Sequence, residues 1–231
     1  CVRILRKDIH YLDVFGEGFT IYDTADSQSL IRRILKDLDL DEKKFAPRAM
    51  LSAISAAKNA AVLPEEYLKE AGADPWKKTV GSVYSEYRKR MLAADAMDFD
   101  DLLLYTVLLL ENCEEVRNYY QRRFRYILVD EYQDTNILQY RLVRLLAGER
   151  QNLCVVGDDD QGIYKFRGAT IQNILDFEQD YPGARVIKLE QNYRSTGNIL
   201  DAANQVIAHN RGRKEKALWT EAEQGERVAL Y

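Results

Sequence analysis

Asp130 and Glu131 stand side by side at the end of an apolar run, in the stretch RYILVDEYQDTN (125–136). A short apolar run that ends in acids is one way a buried strand delivers carboxylates to the edge of a nucleotide site. An aspartate in that place can hold Mg2+, directly or through water. A neighbouring glutamate can orient and deprotonate an attacking water. Phosphoryl transfer to water needs both. The loop GxxxxGK[ST], which usually accompanies such a strand and cradles the phosphates, has no match here, because the 231 residues contain no Gly-Lys pair. Two exposed loop acids would give the same short pattern, so the pair alone leaves both readings open.

Two further clusters follow apolar runs. LCVV (153–156) leads into Gly157-Asp158-Asp159-Asp160-Gln161-Gly162, and RVIKL (185–189) leads into Glu190-Gln191-Asn192-Tyr193-Arg194. The Gln161 amide could bond a terminal phosphate and report its loss. Arg194 is a planar cation whose five donors suit phosphate oxygens. Taken singly, these are equally a turn residue and a surface ion-pair partner. In GIYKFRG (162–168), Tyr164 and Phe166 alternate with Lys165 and Arg167. Bases stack on aromatic rings while cations meet phosphates, with stacking worth roughly 1–3 kcal/mol per base. A loop anchored to the core would use the same aromatics.

The elements that must position these groups can be read from periodicity. Residues 1–95 read as mostly helical: SQSLIRRILKDL (27–38), the Ala-rich stretch 46–60 with Pro47 in its first turn, and 80–94 each carry an apolar stripe at helical spacing. DFDDLLLYTVLLLEN (98–112) begins with Asp98 and Asp101 in a capping-box arrangement. Three short runs then predict strands at 126–129, 153–156 and 185–189. Helices are expected between them, over ILQYRLVRLLA up to Gly148 and over IQNILDFEQD, and after them over 198–210. Alternating strands and helices predict an α/β fold, a parallel sheet covered on both faces.

Composition narrows the class. Hydrophobic residues make up 46% and charged residues 30%, as in ordinary globular proteins. No apolar run approaches the roughly 20 residues that span a bilayer, and the first ten, CVRILRKDIH, are charged rather than leader-like. Cys1, Cys113 and Cys154 form no CxxC pair, and His10 lies far from His209. Neither a zinc site nor a disulfide framework is expected, and a reducing cytoplasm is. The net charge of −4 does not point to nucleic acid, yet basic islands at 3–7, 32–36, 87–90, 122–125 and 211–216 leave a local binding face open beside the plainer reading of solvated helix faces.

The three clusters in order, VDEYQDTN, VVGDDDQGIYKFRGA and LEQNYRST, resemble motifs II, III and IV of superfamily 1 helicases of the UvrD/PcrA/Rep type, nearest its PcrA branch. The stretches ISAAKN, DFDDLL, DFEQDYPGA, AANQVIAHN and LWTE extend the resemblance along the chain. It implies a partial RecA-like P-loop NTPase sheet with an inserted helical subdomain: 1–88 as the insertion, 89–184 as the later part of a first motor domain, and 185–231 as the start of a second. It implies ATP and Mg2+, with Asp130 and Glu131 at the metal, Glu131 activating water, Gln161 sensing the terminal phosphate, Arg194 as an arginine finger and Tyr193 stacking on adenine. Tyr164, Phe166 and Arg167 would touch single-stranded DNA. The implied activity is 3′→5′ translocation in repair or replication, on single strands and duplex junctions, in the bacterial cytoplasm at the nucleoid and beside repair proteins. Gly162 replaces a usual serine and Phe166 a usual tryptophan. The expectation is that the chain is about a third of a helicase and inactive by itself. A helicase–nuclease subunit of the AddA or RecB kind, or a non-catalytic DNA-binding module, are the alternatives.

Overall fold

A computed structural model describes residues 1–164, 168–210, 214 and 216–229. Its first part is helical. Helix α1 (Val2–Asp8) is followed by α2 (Thr24–Asp37), α3 (Pro47–Asn59), α4 (Pro64–Glu70) and α5 (Pro75–Ala93). Local chemistry sets the starts. Asp23 and Asp26 form a reciprocal capping box at α2, prolines open α3, α4 and α5, and the Asp74 side chain caps α5. The apolar stripes then close on one another: Ile31, Ile34 and Leu35 of α2 meet Met50 and Ile54 of α3 and Val80, Val83, Tyr84 and Tyr87 of α5.

Helix α6 (Phe99–Asn112) is apolar nearly all round and serves as the central pillar. One side packs with α1 and with α7 (Glu114–Arg123), through Leu102, Tyr105, Leu109 and Leu110 against Leu5, Ile9, Val116 and Tyr120. The other side meets α8 (Ile137–Ala147) through Leu104, Val107 and Leu138. The capping box read at Asp98 and Asp101 is present. Two strands escaped the periodicity. β1 (Thr20–Ile21) pairs in parallel with β2 (Ala96–Met97), and two-residue strands carry no alternation to detect.

β3 (Ile127–Val129) and β4 (Leu153–Val155) pair in parallel, Ile127 opposite Leu153 and Val129 opposite Val155, with α8 as the crossover. Two expectations need correction. The third strand, read at 185–189, does not form. No described strand lies beside it, and Ile187 and Leu189 stand 66% and 77% exposed. An apolar run becomes a strand only when its backbone finds a ladder partner. Nor is the sheet covered on both faces, since Tyr126, Leu128, Cys154 and Val156 are all exposed on one of them. The helix read over IQNILDFEQD breaks into α9 (Gln172–Leu175) and α10 (Phe177–Asp180), and α11 (Gly197–Ile207) follows as expected.

Candidate functional site

The parallel pairing of β3 and β4 sets their carboxyl ends side by side. The ladder runs one step past the strands: Val156 donates to the Val129 carbonyl at 2.8 Å and Tyr132 to the Val156 carbonyl at 2.9 Å. Asp130 is exposed, and one of its oxygens accepts the Glu131 backbone N–H at 2.9 Å. Glu131 is itself exposed and left-handed, at φ 50°. A non-glycine residue there costs of the order of 1 kcal/mol and is held by its surroundings.

Gln133 supplies that hold. It is 1% exposed, in the single-turn helix Tyr132–Asp134. Its Nε2 donates to Glu131 Oε2 at 2.8 Å, and its Oε1 accepts the Asp158 backbone N–H at 2.9 Å. Asp158 Oδ2 in turn accepts from Gln161 Nε2 at 2.7 Å. Glu131, Gln133, Asp158 and Gln161 therefore form one connected chain across the two strand ends. Gln133 lies inside the sequence motif, yet nothing in its spacing assigned it this bridging part.

Gly157 is the close-approach point. A Cβ there would stand 2.6 Å from Gln133 Oε1, 2.8 Å from Ile174 Cδ1 and 3.2 Å from the Tyr132 nitrogen. Gly157→Ala is therefore expected to cost about 1–3 kcal/mol by overpacking, read as a lower melting temperature; an unchanged melt would show that the turn gives way freely.

The three aspartates are not left bare. Lys216 Nζ reaches Asp158 Oδ1 at 2.5 Å, Asp159 Oδ1 at 2.6 Å and Asp160 Oδ2 at 3.2 Å. Partial burial works against ionisation of Asp158 and Asp159, and hydrogen bonds from Lys216 reverse it, so both carboxyls sit below their ordinary range. This is the one carboxylate trio among the described residues close enough to hold a metal ion, and an ammonium lies in it. The basic island at 211–216 reads from sequence as a solvated or nucleic-acid-binding face, whereas its Lys216 is turned to these carboxylates.

Asp130 and Glu131 are a second pair of acids that could hold magnesium. They are exposed hard oxygen donors at a strand end, which suits an ion that keeps several of its waters. Tyr193 is 86% exposed, and its hydroxyl donates to Gln191 Oε1 at 2.7 Å. Arg194 is exposed, its backbone held by Asn192 Oδ1 at 2.9 Å, and it makes no ion pair with a described residue. No hydrogen bond between described residues joins Tyr193 or Arg194 to the β3 and β4 ends. The link is indirect: Glu190 Oε1 accepts the Ala217 N–H at 3.2 Å, next to Lys216. Tyr164 is 38% exposed. Phe166 and Arg167 lie outside the described residues.

A family model for the UvrD/REP helicase N-terminal domain matches residues 1–182. The chain belongs to the UvrD/REP helicase family. A second model, for the UvrD-like helicase C-terminal domain, matches residues 187–231 of this UvrD-type chain. The ATP-dependent DNA helicase PcrA of Bacillus subtilis is 54% identical over the whole chain, which spans 31% of that protein. The ATP-dependent DNA helicase UvrD1 of Mycobacterium tuberculosis and PcrA of Staphylococcus aureus are each 52% identical, again over the whole chain and 31% of their own length. Short parallel strands among helices accord with a partial RecA-like domain of this family. Among the described residues no helix is long and apolar enough to cross a membrane.

Proposed function

We propose that these residues form part of the ATP-hydrolysing motor of a 3′→5′ DNA helicase acting in the cytoplasm on single strands and duplex junctions. The observation that carries this is the hydrogen-bonded chain Glu131–Gln133–Asp158–Gln161, which ties an acid suited to activating water to an amide suited to a terminal phosphate. The names of the relatives support ATP as the substrate and DNA as the track. In this reading residues 1–88 are the helical insertion, 89–184 the later first motor domain and 185–231 the start of the second; the change of matching family model between 182 and 187 supports the later boundary.

Each side chain has a part. Asp130 and Glu131 would hold Mg2+, which supplies neutralisation of phosphate charge. Glu131 orients the attacking water and takes its proton. Gln161 exchanges its bond to Asp158 for one to the terminal phosphate. Arg194 meets the charge that develops on the transferred group, and Tyr193 presents its open ring to the base. Tyr164, Phe166 and Arg167 have the side chains to stack on bases and pair with phosphates of the single strand.

The test is ATP hydrolysis with and without a dT oligonucleotide, for a full-length polypeptide carrying these residues and for the 231-residue chain alone. Stimulated turnover is expected from the first. None is expected from the second, which holds no GxxxxGK[ST] sequence. A full-length protein that DNA fails to stimulate would overturn the motor reading. Turnover by the short chain would overturn the inactivity.

A further inference from the structure

Asp158, Asp159 and Asp160 crowd three carboxylates onto the turn after β4, and the side chains of Asp159 and Asp160 are only 8% and 6% exposed. Acids so nearly buried need a cation close by. Among the described residues, the cation that reaches all three is Lys216, 58 residues from Asp158. An ammonium carries three donors, and three carboxylates surround this one: Asp158 Oδ1 at 2.5 Å, Asp159 Oδ1 at 2.6 Å and Asp160 Oδ2 at 3.2 Å. The acids lie in the stretch matched by the N-terminal family model and the lysine in the stretch matched by the C-terminal one.

Lys216 and Gln161 share one carboxylate. Asp158 gives Oδ1 to Lys216 and Oδ2 to Gln161 Nε2, the latter at 2.7 Å. The Asp158 N–H is held in turn by Gln133 Oε1 at 2.9 Å. The ammonium therefore fixes the carboxylate on one side, and the carboxylate fixes the Gln161 amide on the other. Beyond Lys216 the chain is laid along the backbone that leads to Arg194. The Ala217 N–H donates to Glu190 Oε1 at 3.2 Å, the Trp219 N–H to the Glu190 carbonyl at 3.0 Å and the Asn192 N–H to the Trp219 carbonyl at 2.7 Å. Asn192 Oδ1 then accepts the Arg194 N–H at 2.9 Å. Lys216 thus stands between Gln161 and the backbone that carries Arg194, the two groups that the motor reading aims at the phosphates.

We propose that Lys216 is a positioning residue for ATP hydrolysis: its ammonium sets the Asp158 carboxylate, through which Gln161 is held where it reaches the terminal phosphate. The proposal rests on the motor reading above, and Lys216 itself touches no nucleotide in it. Without the ammonium, three like charges repel across one turn. Asp158 then swings away from its neighbours and takes the Gln161 amide with it. The turn itself keeps other ties, since the Asp158 N–H still donates to Gln133 and Asp159 Oδ2 still accepts the Lys214 N–H at 2.7 Å.

The test is a double-mutant cycle in the full-length polypeptide: the parent, Lys216→Ala, Gln161→Ala and the two together. Each is read for kcat and KM of ATP hydrolysis at saturating dT oligonucleotide, and for melting temperature. Lys216→Arg is added as the conservative variant. It keeps the charge, but a flat guanidinium fork does not meet three carboxylates as an ammonium does.

Lys216→Ala is expected to lower kcat by about 5–50-fold, within the range for neighbours in one network, and to move KM in the same sense as Gln161→Ala does. In the Gln161→Ala background the same substitution should change kcat by less than about twofold, because the amide it positions is gone. Lys216→Arg should melt with the parent and still fall at least about threefold short in kcat. If Lys216→Ala melts too low to assay, the cycle is run with Lys216→Arg instead. Equal fold losses in the two backgrounds overturn the positioning and leave Lys216 a structural ion pair. Parental turnover in Lys216→Ala or in Lys216→Arg overturns it too. If Gln161→Ala itself hydrolyses ATP at the parental rate, the motor reading of that amide fails first and the positioning falls with it.

Discussion

Glu131→Gln in the full-length protein is expected to lower DNA-stimulated ATP turnover by about 10²–10⁴-fold, the usual worth of a positioned general base, while ATP still binds and Asp130 still offers Mg2+ a carboxylate. The substitution is nearly silent structurally. Glu131 Oε2 only accepts from Gln133 Nε2, and the glutamine side-chain oxygen can accept the same bond. Asp130 keeps its bond to the residue 131 N–H, since that is a backbone donor. What disappears is the carboxylate proposed to take the proton. A companion pair of variants isolates the backbone cost. Glu131 sits at φ 50°, where glycine is free of the Cβ penalty. Glu131→Gly and Glu131→Ala both leave the buried Gln133 Nε2 without its acceptor, so the comparison is between these two: Glu131→Gly should melt up to about 1 kcal/mol more stably than Glu131→Ala, while both lose turnover as Glu131→Gln does. A Glu131→Gln protein that hydrolyses ATP within threefold of the parent would remove Glu131 from the chemistry and leave Asp130 or the aspartates after β4 to supply the base.

What the sequence disclosed followed from how local each signal is. The Asp98–Asp101 capping box was legible because both partners lie within one turn, and so were the stripes of α2, α3 and α5, because helical spacing repeats over many residues. The strand ends were legible as clusters, since an apolar run followed by acids is contiguous. Gln133 was not, although it stands in the same motif. Its role depends on the Asp158 N–H, 25 residues on, and is created by the register that sets Val129 opposite Val155. Lys216 is further still from its carboxylates, 58 residues from Asp158. The strand read at 185–189 shows the opposite failure. Its apolar pattern is genuine, but pattern specifies a face and not a partner, and a ladder needs both.

Lys58→Met is expected to be the most damaging single change to the fold, costing about 3–5 kcal/mol and roughly 6–20 °C in melting temperature for a chain of this size. Lys58 is 2% exposed, and the two acids it serves, Asp98 and Asp101, are 7% and 5% exposed. Burial alone would strip the lysine of its proton, yet Asp101 and Asp98 overcome that and hold it above its ordinary range. Burial likewise disfavours ionised Asp98, but Lys58, with the Asp101 N–H and Tyr87, holds that carboxyl low. Asp101 moves the other way, raised by its burial and by Asp98 beside it, with Lys58 pulling against the shift. Methionine fills much of the same volume and brings no charge, so Asp98 would rise above its unfolded value and Asp101, already above it, would rise further. A carboxyl raised on folding binds more protons in the native state, so its penalty is in force above the folded pKa and is relieved as pH falls toward the unfolded one. In the parent, by contrast, only Asp101 carries such a penalty, because Asp98 with its lowered pKa keeps its contribution until the pH drops below the ordinary carboxylate range. The deficit of Lys58→Met against the parent should therefore be large in melts at pH 8 and clearly smaller at pH 5. Equal losses at the two pH values would mean that packing around α3, α5 and α6, rather than the stranded carboxylates, accounts for the damage.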